Sequence, residues 1–411
     1  MKNQKQQIWV GTETLKNDPA FLELAEKEFV DDVKQVYNKE QDNSLEANRR
    51  DFLKVLGFSL GAATIAAACD TPVRRAIPYV TKPDAIVPGV ATYYASTFVE
   101  GGDYCPVLVK TREGRPIKIE GNSLSSLTGG GTSARAQASV LSLYDTARLK
   151  GPKKAMGDGK FDVATWGDLD KAVAGKLGGN VRIVTNSILS PSLNRALGEL
   201  TTKNPNAKVI TYDPVSSSAI LQANEASFGY KVIPNYHFKA ADVIVGLNCD
   251  FLGTWISPVE FAKDYAANRK VKTLKGAKMN RHYQVEGHMS MTGSNADHRI
   301  IIKPSELGAA IATLYNEVDA LTGGGRVNAP ALNDKAKAGL KTVAKDLVAH
   351  KGHALVVSGS NNKGEQILVN AINNLLGSYG ATIDFANPSY QRQGDDAVSY
   401  THLTLPTILL V

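Results

Sequence analysis

The sequence predicts an α/β protein built from a small β-rich N-terminal unit and a doubly wound, mainly parallel sheet. Three observations carry that reading. From Phe161 onward, short β-branched apolar runs alternate with segments of helical pattern, as a parallel sheet covered by helices on both faces requires. Ahead of them, three strand-like runs stand close together, two of them joined by Arg112-Glu113-Gly114-Arg115, a hairpin connection. The chain has 411 residues, 43% of them hydrophobic and 21% charged, enough for a sizeable core and more than one domain. Its net charge of +7 is spread along the chain rather than gathered, which argues against a nucleic-acid partner.

Taken in order, residues 1–47 form a leader. Its apolar positions Phe21, Leu22, Leu24, Ala25 and Phe29 predict an amphipathic helix over Asp18 to Tyr37, started by Asn17, Asp18 and Pro19. Residues 48–69 follow. Here Arg49, Arg50, Phe52, Leu53 and Lys54 precede an uncharged run from Val55 to Ala68 that is rich in Ala and Gly. Paired arginines before a short, weakly hydrophobic run are the parts of a twin-arginine export signal. The run is too short to span a bilayer comfortably. Ala66-Ala67-Ala68-Cys69 ends it like a lipobox, with Ala66 where a larger aliphatic residue is usual, so Cys69 is the candidate lipidation residue. Cleavage before Cys69 removes the leader; without cleavage it stays as a helical appendage.

Residues 70–150 comprise a linker with Pro72, Pro78, Pro83 and Pro88, then the β-rich unit. Its strands are expected at Ala91–Val99, Val107–Lys110 and Pro116–Ile119, with a helix over Ala134 to Tyr144. Residues 151–397 form the α/β region. Strands are expected at Val181–Thr185, Lys208–Thr211, Val243–Leu247, Arg299–Ile302 and Leu355–Val357. Helices are expected at Pro191–Thr202, Val215–Ser227, Pro258–Asn268, Ser305–Ala320, Pro330–His350 and Gly364–Leu376. Asp213-Pro214 and Asn248-Cys249-Asp250 fall just after strands, at the end where open α/β sheets bind ligands.

Little in the residues alone points to catalysis. Beyond Cys69 the chain has only Cys105 and Cys249, which read as buried small hydrophobes, a disulfide between them being the alternative. They are too few for a four-cysteine site. Gly129-Gly130-Gly131 lacks the Gly-Lys-Ser/Thr of a phosphate loop and reads as a flexible turn. His282, His288 and His298 lack metal-pair spacing and read as loop or surface residues. No Gly-x-Ser-x-Gly elbow is present.

A longer series of residues resembles the molybdopterin oxidoreductases. It comprises Glu113-Gly114-Arg115-Pro116-Ile117-Lys118-Ile119-Glu120-Gly121-Asn122, Ala136-Gln137-Ala138, Leu143-Tyr144-Asp145-Thr146-Ala147-Arg148-Leu149-Lys150, and Thr165-Trp166-Gly167-Asp168-Leu169. Ala241–Gly246 and Asn295–His298 continue it, and the likeness runs from about Tyr94 to about Gln393. It implies a molybdopterin-oxidoreductase-like fold. Catalytic members of that family hold a four-cysteine iron–sulfur cluster. Here Ser133 stands at the turn position of that cluster, and Cys105 is the one upstream candidate ligand. The molybdenum-ligand position falls in Asn186-Ser187-Ile188-Leu189-Ser190; Ser187 or Ser190 is a candidate ligand there, against a helix-capping role before Pro191.

The displaced twin-arginine signal, with Ile8-Trp9-Val10-Gly11, Asp18-Pro19-Ala20-Phe21 and Tyr93-Tyr94-Ala95-Ser96-Thr97, resembles the B subunits of the quinol-oxidising respiratory assembly called alternative complex III. That resemblance implies a non-catalytic scaffold region, without metal or catalytic residues of its own, within an electron-transfer subunit. Iron–sulfur clusters are then expected in a C-terminal domain beyond this chain. The implied partners are a cytochrome c subunit and quinol-binding membrane subunits, at the periplasmic face of the cytoplasmic membrane. The alternatives are an exported molybdopterin oxidoreductase with an unusual ligand set, or a free-standing exported lipoprotein. Val398 to Thr407 reads as a translated transposon-end sequencing adapter, so the α/β region is expected to be incomplete and residues 398–411 to carry no function.

Overall fold

The computed structural model describes residues 86–101, 103–271 and 278–404. The chain divides into two units, Met1–Thr81 and Lys82–Val411, and the described residues lie in the second. The leader helix, the paired arginines Arg49 and Arg50 with Phe52, Leu53 and Lys54, and Cys69 fall outside the described residues.

The β-rich unit is a three-stranded antiparallel sheet in the order β1 (Thr92–Glu100), β2 (Asp103–Arg112), β3 (Arg115–Gly121). The expected hairpin turns on Glu113 and Gly114, whose φ angles of 46° and 74° suit a two-residue loop that twists with its strands. Helix α1 (Ala134–Ser142) packs on this sheet, and its N-cap is Ser133, whose hydroxyl accepts from the Ala136 N–H at 3.1 Å. Cys105, Val107, Ile119 and Ala136 form the small core between them.

An exposed hairpin follows, β4 (Lys153–Gly157) and β5 (Lys160–Val163), then α2 (Trp166–Ala174), held at its start by a capping box between Thr165 and Asp168. Strand β6 (Arg182–Thr185), α3 (Pro191–Lys203) and β7 (Lys208–Thr211) make a parallel two-stranded sheet of their own. The sequence placed these strands in one sheet with the rest. The structure separates them, because only Ile210 of the two strands is buried and neither has two apolar faces to bury in a larger sheet.

Helix α4 (Ser218–Phe228) and β8 (Ile233–Tyr236) lead to β9 (Val243–Leu247). Then come α5 (Pro258–Ala267), β10 (Arg281–Glu286), the short α6 (Met291–Ser294), β11 (His298–Ile301), α7 (Leu307–Thr322) and α8 (Asp334–Ala349). The chain ends with β12 (Ala354–Ser358), α9 (Lys363–Leu375), β13 (Ile383–Ser389) and α10 (Asp396–Thr404). The central sheet is wholly parallel, in the order β11-β10-β9-β12, while β13 pairs antiparallel with β8. The architecture is therefore mixed α/β, with several parallel and antiparallel sheets.

Alternation along the central strands divides two cores. Val243, Val245, Leu247, Val285, Ala354 and Val356 face α7, α8 and α9, whose Leu314, Leu340, Leu347 and Ile372 complete one core. Ile244, Leu355 and Val357 face the other way, into a core rich in aromatic side chains. There Phe238 and Phe251 stack at 4.4 Å between ring centroids, with Tyr236, Trp255 and Phe261 around them. Helices on both faces of this sheet are what the sequence pattern predicted.

Candidate functional site

In the central sheet the strand order reverses at β9: β10 and β11 lie to one side, and the chain then crosses back to place β12 on the other. The carboxyl ends of β9 and β12 therefore form the crevice where ligands of open α/β sheets lie. Two loops meet there, Asn248-Cys249-Asp250 and Gly359-Ser360-Asn361-Asn362. They press together: a Cβ on Gly359 would stand 2.2 Å from the Asn248 carbonyl oxygen. Asn248 takes the left-handed conformation, φ 49°, and its N–H donates to the Val285 carbonyl at 2.7 Å. Asn361 is equally committed. Its side-chain oxygen accepts from Ala219 N–H, at the start of α4, and its amide donates to Asp396.

The neighbouring strand ends are filled in the same way. Asp213, after β7, is buried and accepts from the Ser187 N–H at 3.0 Å, the Ser187 hydroxyl at 2.6 Å and the Gly394 N–H at 2.8 Å. The Ser187 hydroxyl in turn accepts from Gln393 N–H. The space left beside Ser187 is about 20 Å³, bounded by Val99, Asn186, Asp213 and Arg392. That is room for about one water molecule. Ser190 caps α3 by accepting from Leu193 N–H at 3.3 Å, the capping role weighed for it in the sequence.

Ser133 and Cys105 come together, though they stand 28 positions apart in the chain. Burial pushes the Cys105 thiol up, while hydrogen bonds from the Ser133 backbone and side chain pull the other way. Cys249 is buried in the aromatic core, and burial raises its thiol further. Both cysteines are free. Next to Ser133 a crevice of about 600 Å³ opens between α1 and α5, lined by Gly131, Arg135, Leu252, Val259 and Lys263. Its cations are already engaged. Arg135 pairs with the buried Asp103 at 2.8 Å, and the Lys263 ammonium donates to the Ser126 and Leu127 carbonyls. The glycine-rich turn packs on this helix, with a Cβ at Gly129 only 3.2 Å from Lys263 Cε. It is a packing turn rather than an open phosphate cradle.

One buried polar assembly was not legible in the sequence. His282, Gln284 and Glu286 alternate along β10 and are at most 1% exposed. The Tyr265 hydroxyl lies 3.1 Å from His282 Nδ1, and His282 Nε2 lies 3.3 Å from Gln284 Oε1. The Gln284 amide donates to the Cys249 carbonyl and to Glu286, and Glu286 accepts from Ser290 and from Arg299 at 2.6 Å. Burial pushes the Glu286 carboxyl up, but the bonds from Ser290 and Arg299 outweigh it and hold it below its ordinary range. Burial holds His282 down to about 4, so its ring is neutral. The expectation of loop or surface histidines therefore fails for His282: β10 is covered on both faces, and its polar side chains are satisfied by one another. His298 stacks on Tyr283 at 5.1 Å from the sheet edge, and His288 is exposed. Among the described residues no three His, Cys, Asp or Glu side chains gather as a metal-binding group.

No protein-family model matches the chain. Over 214 residues it is 24% identical to the molybdopterin-binding-like subunit of the menaquinone reductase of Nitratidesulfovibrio vulgaris (strain Hildenborough). Half of this chain is similar to that subunit. The match covers 49% of this chain and 29% of the relative, so the chain spans less than a third of that protein's length. Among solved structures, a chain of the formyltransferase/hydrolase complex of Methylorubrum extorquens, in complex with methylofuran, aligns at a TM-score of 0.38 and 16% identity. That alignment covers 55% of this chain and 57% of the other, and at so low a score it does not define the fold.

Proposed function

We propose that this chain is a non-catalytic scaffold region of an electron-transfer subunit in a quinol-oxidising respiratory complex of the alternative complex III kind. The observation that carries the proposal is the Ser187 hydroxyl, which is already engaged as donor and as acceptor. A side chain meant to ligate molybdenum needs an open approach. Ser187 instead bonds Asp213 and Gln393 around a cavity of about 20 Å³. The crevice between β9 and β12 is closed in the same manner by Gly359 and Asn361.

The donor set beside α1 supports the same reading. A four-iron cluster is held by four thiolates, and here one buried thiol, Cys105, lies against the hydroxyl of Ser133. A hydroxyl is a poor substitute for a thiolate at iron. These residues do not fit such a cluster. The clusters of the subunit are assigned instead to a C-terminal portion beyond this chain. The similarity to a molybdopterin-binding-like subunit of a menaquinone reductase supports a family that pairs this kind of body with quinone chemistry. The partners in this reading are a cytochrome c subunit and quinol-binding membrane subunits. The route to the periplasmic face is the twin-arginine signal at Arg49 and Arg50, with Cys69 as the candidate anchor.

The test is to tag the chain in its source cells, solubilise the membranes gently and purify on the tag. Co-purification of haem and quinol oxidation with the chain is the expected result. A chain recovered alone from the soluble fraction would refute the assignment.

A further inference from the structure

Strand β1 is an edge without the protections that edges usually carry. It runs against β2 in unbroken antiparallel register, from Thr92 opposite Thr111 to Glu100 opposite Asp103, and no strand lies on its other side among the described residues. Soluble proteins guard such edges with lysine, proline, a bulge or a short strand. Here the nine residues Thr92-Tyr93-Tyr94-Ala95-Ser96-Thr97-Phe98-Val99-Glu100 contain no lysine, no proline and no bulge, and the one charge stands at the end.

Most side chains of β1 are open as well. Helices α1 and α5 pack against β3 and β2, which leaves seven of its nine residues exposed, with Phe98 part-buried against the small core. Tyr93 and Val99 on one face are each 46% exposed, and Tyr94 on the other is 53% exposed. A row of unpaired backbone N–H and C=O groups flanked by tyrosines is the surface that takes another β-strand.

The residues of β1 also state which strand fits. Laid antiparallel on a second copy about a two-fold axis through Ser96, Tyr93 meets Val99, Tyr94 meets Phe98, and Ala95 meets Thr97. Aromatic side chains thus lie beside β-branched or aromatic ones, pairs that stabilise antiparallel sheets. Glu100 meets Thr92, so no like charges oppose. Paired residues share parity along the strand. The outward backbone groups of one copy therefore face those of the other, and side chains of one face remain on one face.

We propose that two copies of this chain associate through β1, joining their three-stranded sheets into one continuous antiparallel sheet across an isologous two-fold interface. Nine residues at about 3.4 Å each give a contact about 30 Å long. That lies at the small end of specific interfaces, so the dimer is reversible and depends on concentration.

Sedimentation equilibrium of the full chain tests this. The wild type is expected to pass from monomer to dimer across the micromolar range. Ser96→Lys and Ser96→Glu each place like charges opposite one another at the two-fold axis, and each is expected to raise the dissociation constant about tenfold. An equimolar mixture of the two variants is expected to restore the dimer, because opposite charges then face each other; this also shows that both variants are folded. A wild type that stays monomeric, whether its edge is covered by its own chain or reserved for a different protein, overturns the proposal. So does a dimer indifferent to both substitutions, or a mixture that associates no better than either variant alone.

Discussion

The buried imidazole of His282 makes the stability of the α/β unit depend on pH in a way that can be worked out in advance. The residue is 0% exposed, and burial holds its pKa at about 4 against the ordinary 6.5, with the Gln284 hydrogen bond acting in the opposite direction. A group held below its unfolded value refuses a proton that the denatured chain accepts. Stability is therefore complete above pH 6.5 and is lost as the pH falls toward about 4. The whole shift corresponds to about 3 kcal/mol, of which about 2 kcal/mol falls between about pH 7 and about pH 5. That window lies above the range in which Glu286 and Asp297, both held below their ordinary values, change charge. Urea unfolding at the two pH values reads the difference directly. His282→Gln keeps a hydrogen-bonding side chain at the site and removes the titration. The variant is expected to lose most of the dependence on pH, whatever its absolute stability. An unchanged difference between pH 7 and pH 5 would show that His282 is not the group responsible.

Arg299→Met leaves the buried Glu286 without its cation and is expected to cost about 3 kcal/mol in urea unfolding, because an unpaired buried charge is poorly tolerated. A loss below about 1 kcal/mol would mean that Ser290 and Gln284 suffice to hold the carboxylate. Gly359→Ala puts a Cβ against the Asn248 carbonyl and should destabilise by about 1–3 kcal/mol, since backbone rather than a flexible side chain must move. Equal stability would show that the two strand-end loops are not pressed together. Arg49→Lys combined with Arg50→Lys keeps the charge and removes the paired guanidinium groups, so precursor is expected to collect in the cytoplasm. Normal export, followed by fractionation and immunoblotting, would remove the twin-arginine reading.

Much of the fold was legible because its strands are short β-branched runs set between segments of helical pattern. Lys208–Thr211 and Val243–Leu247 were placed at their observed bounds, and the Glu113-Gly114 hairpin was marked by its turn residues. Strand β10 was not found, because the polar residues His282, Gln284 and Glu286 alternate with Tyr283 and Val285 and imitate a solvated face. Only the tertiary structure shows that Tyr265, Ser290 and Arg299 arrive from elsewhere to satisfy them. Strands β8 and β13 were hidden by Pro234 and Pro388, tolerated in a two-stranded pair whose register is interrupted. Hairpin β4–β5 was missed because its lysines leave too few apolar positions to show alternation. At the candidate site, Ser133, Ser187 and Ser190 were singled out by resemblance. That Ser133 lies on Cys105, and that Asp213 and Gln393 enclose Ser187, depends on contacts between distant segments that no local pattern records.

The scaffold assignment is tested most directly by the metal and pterin content of the 411-residue chain, produced in cells with molybdopterin and iron–sulfur synthesis intact. Elemental analysis, pterin fluorescence after oxidative release and electron paramagnetic resonance of the reduced protein are read on one preparation. The account predicts molybdenum, iron and pterin far below one equivalent per chain, with Ser187 enclosed by Asp213 and Gln393. Stoichiometric molybdenum with pterin, or a cluster signal lost on Cys105→Ser, would contradict it and make the chain an oxidoreductase in its own right.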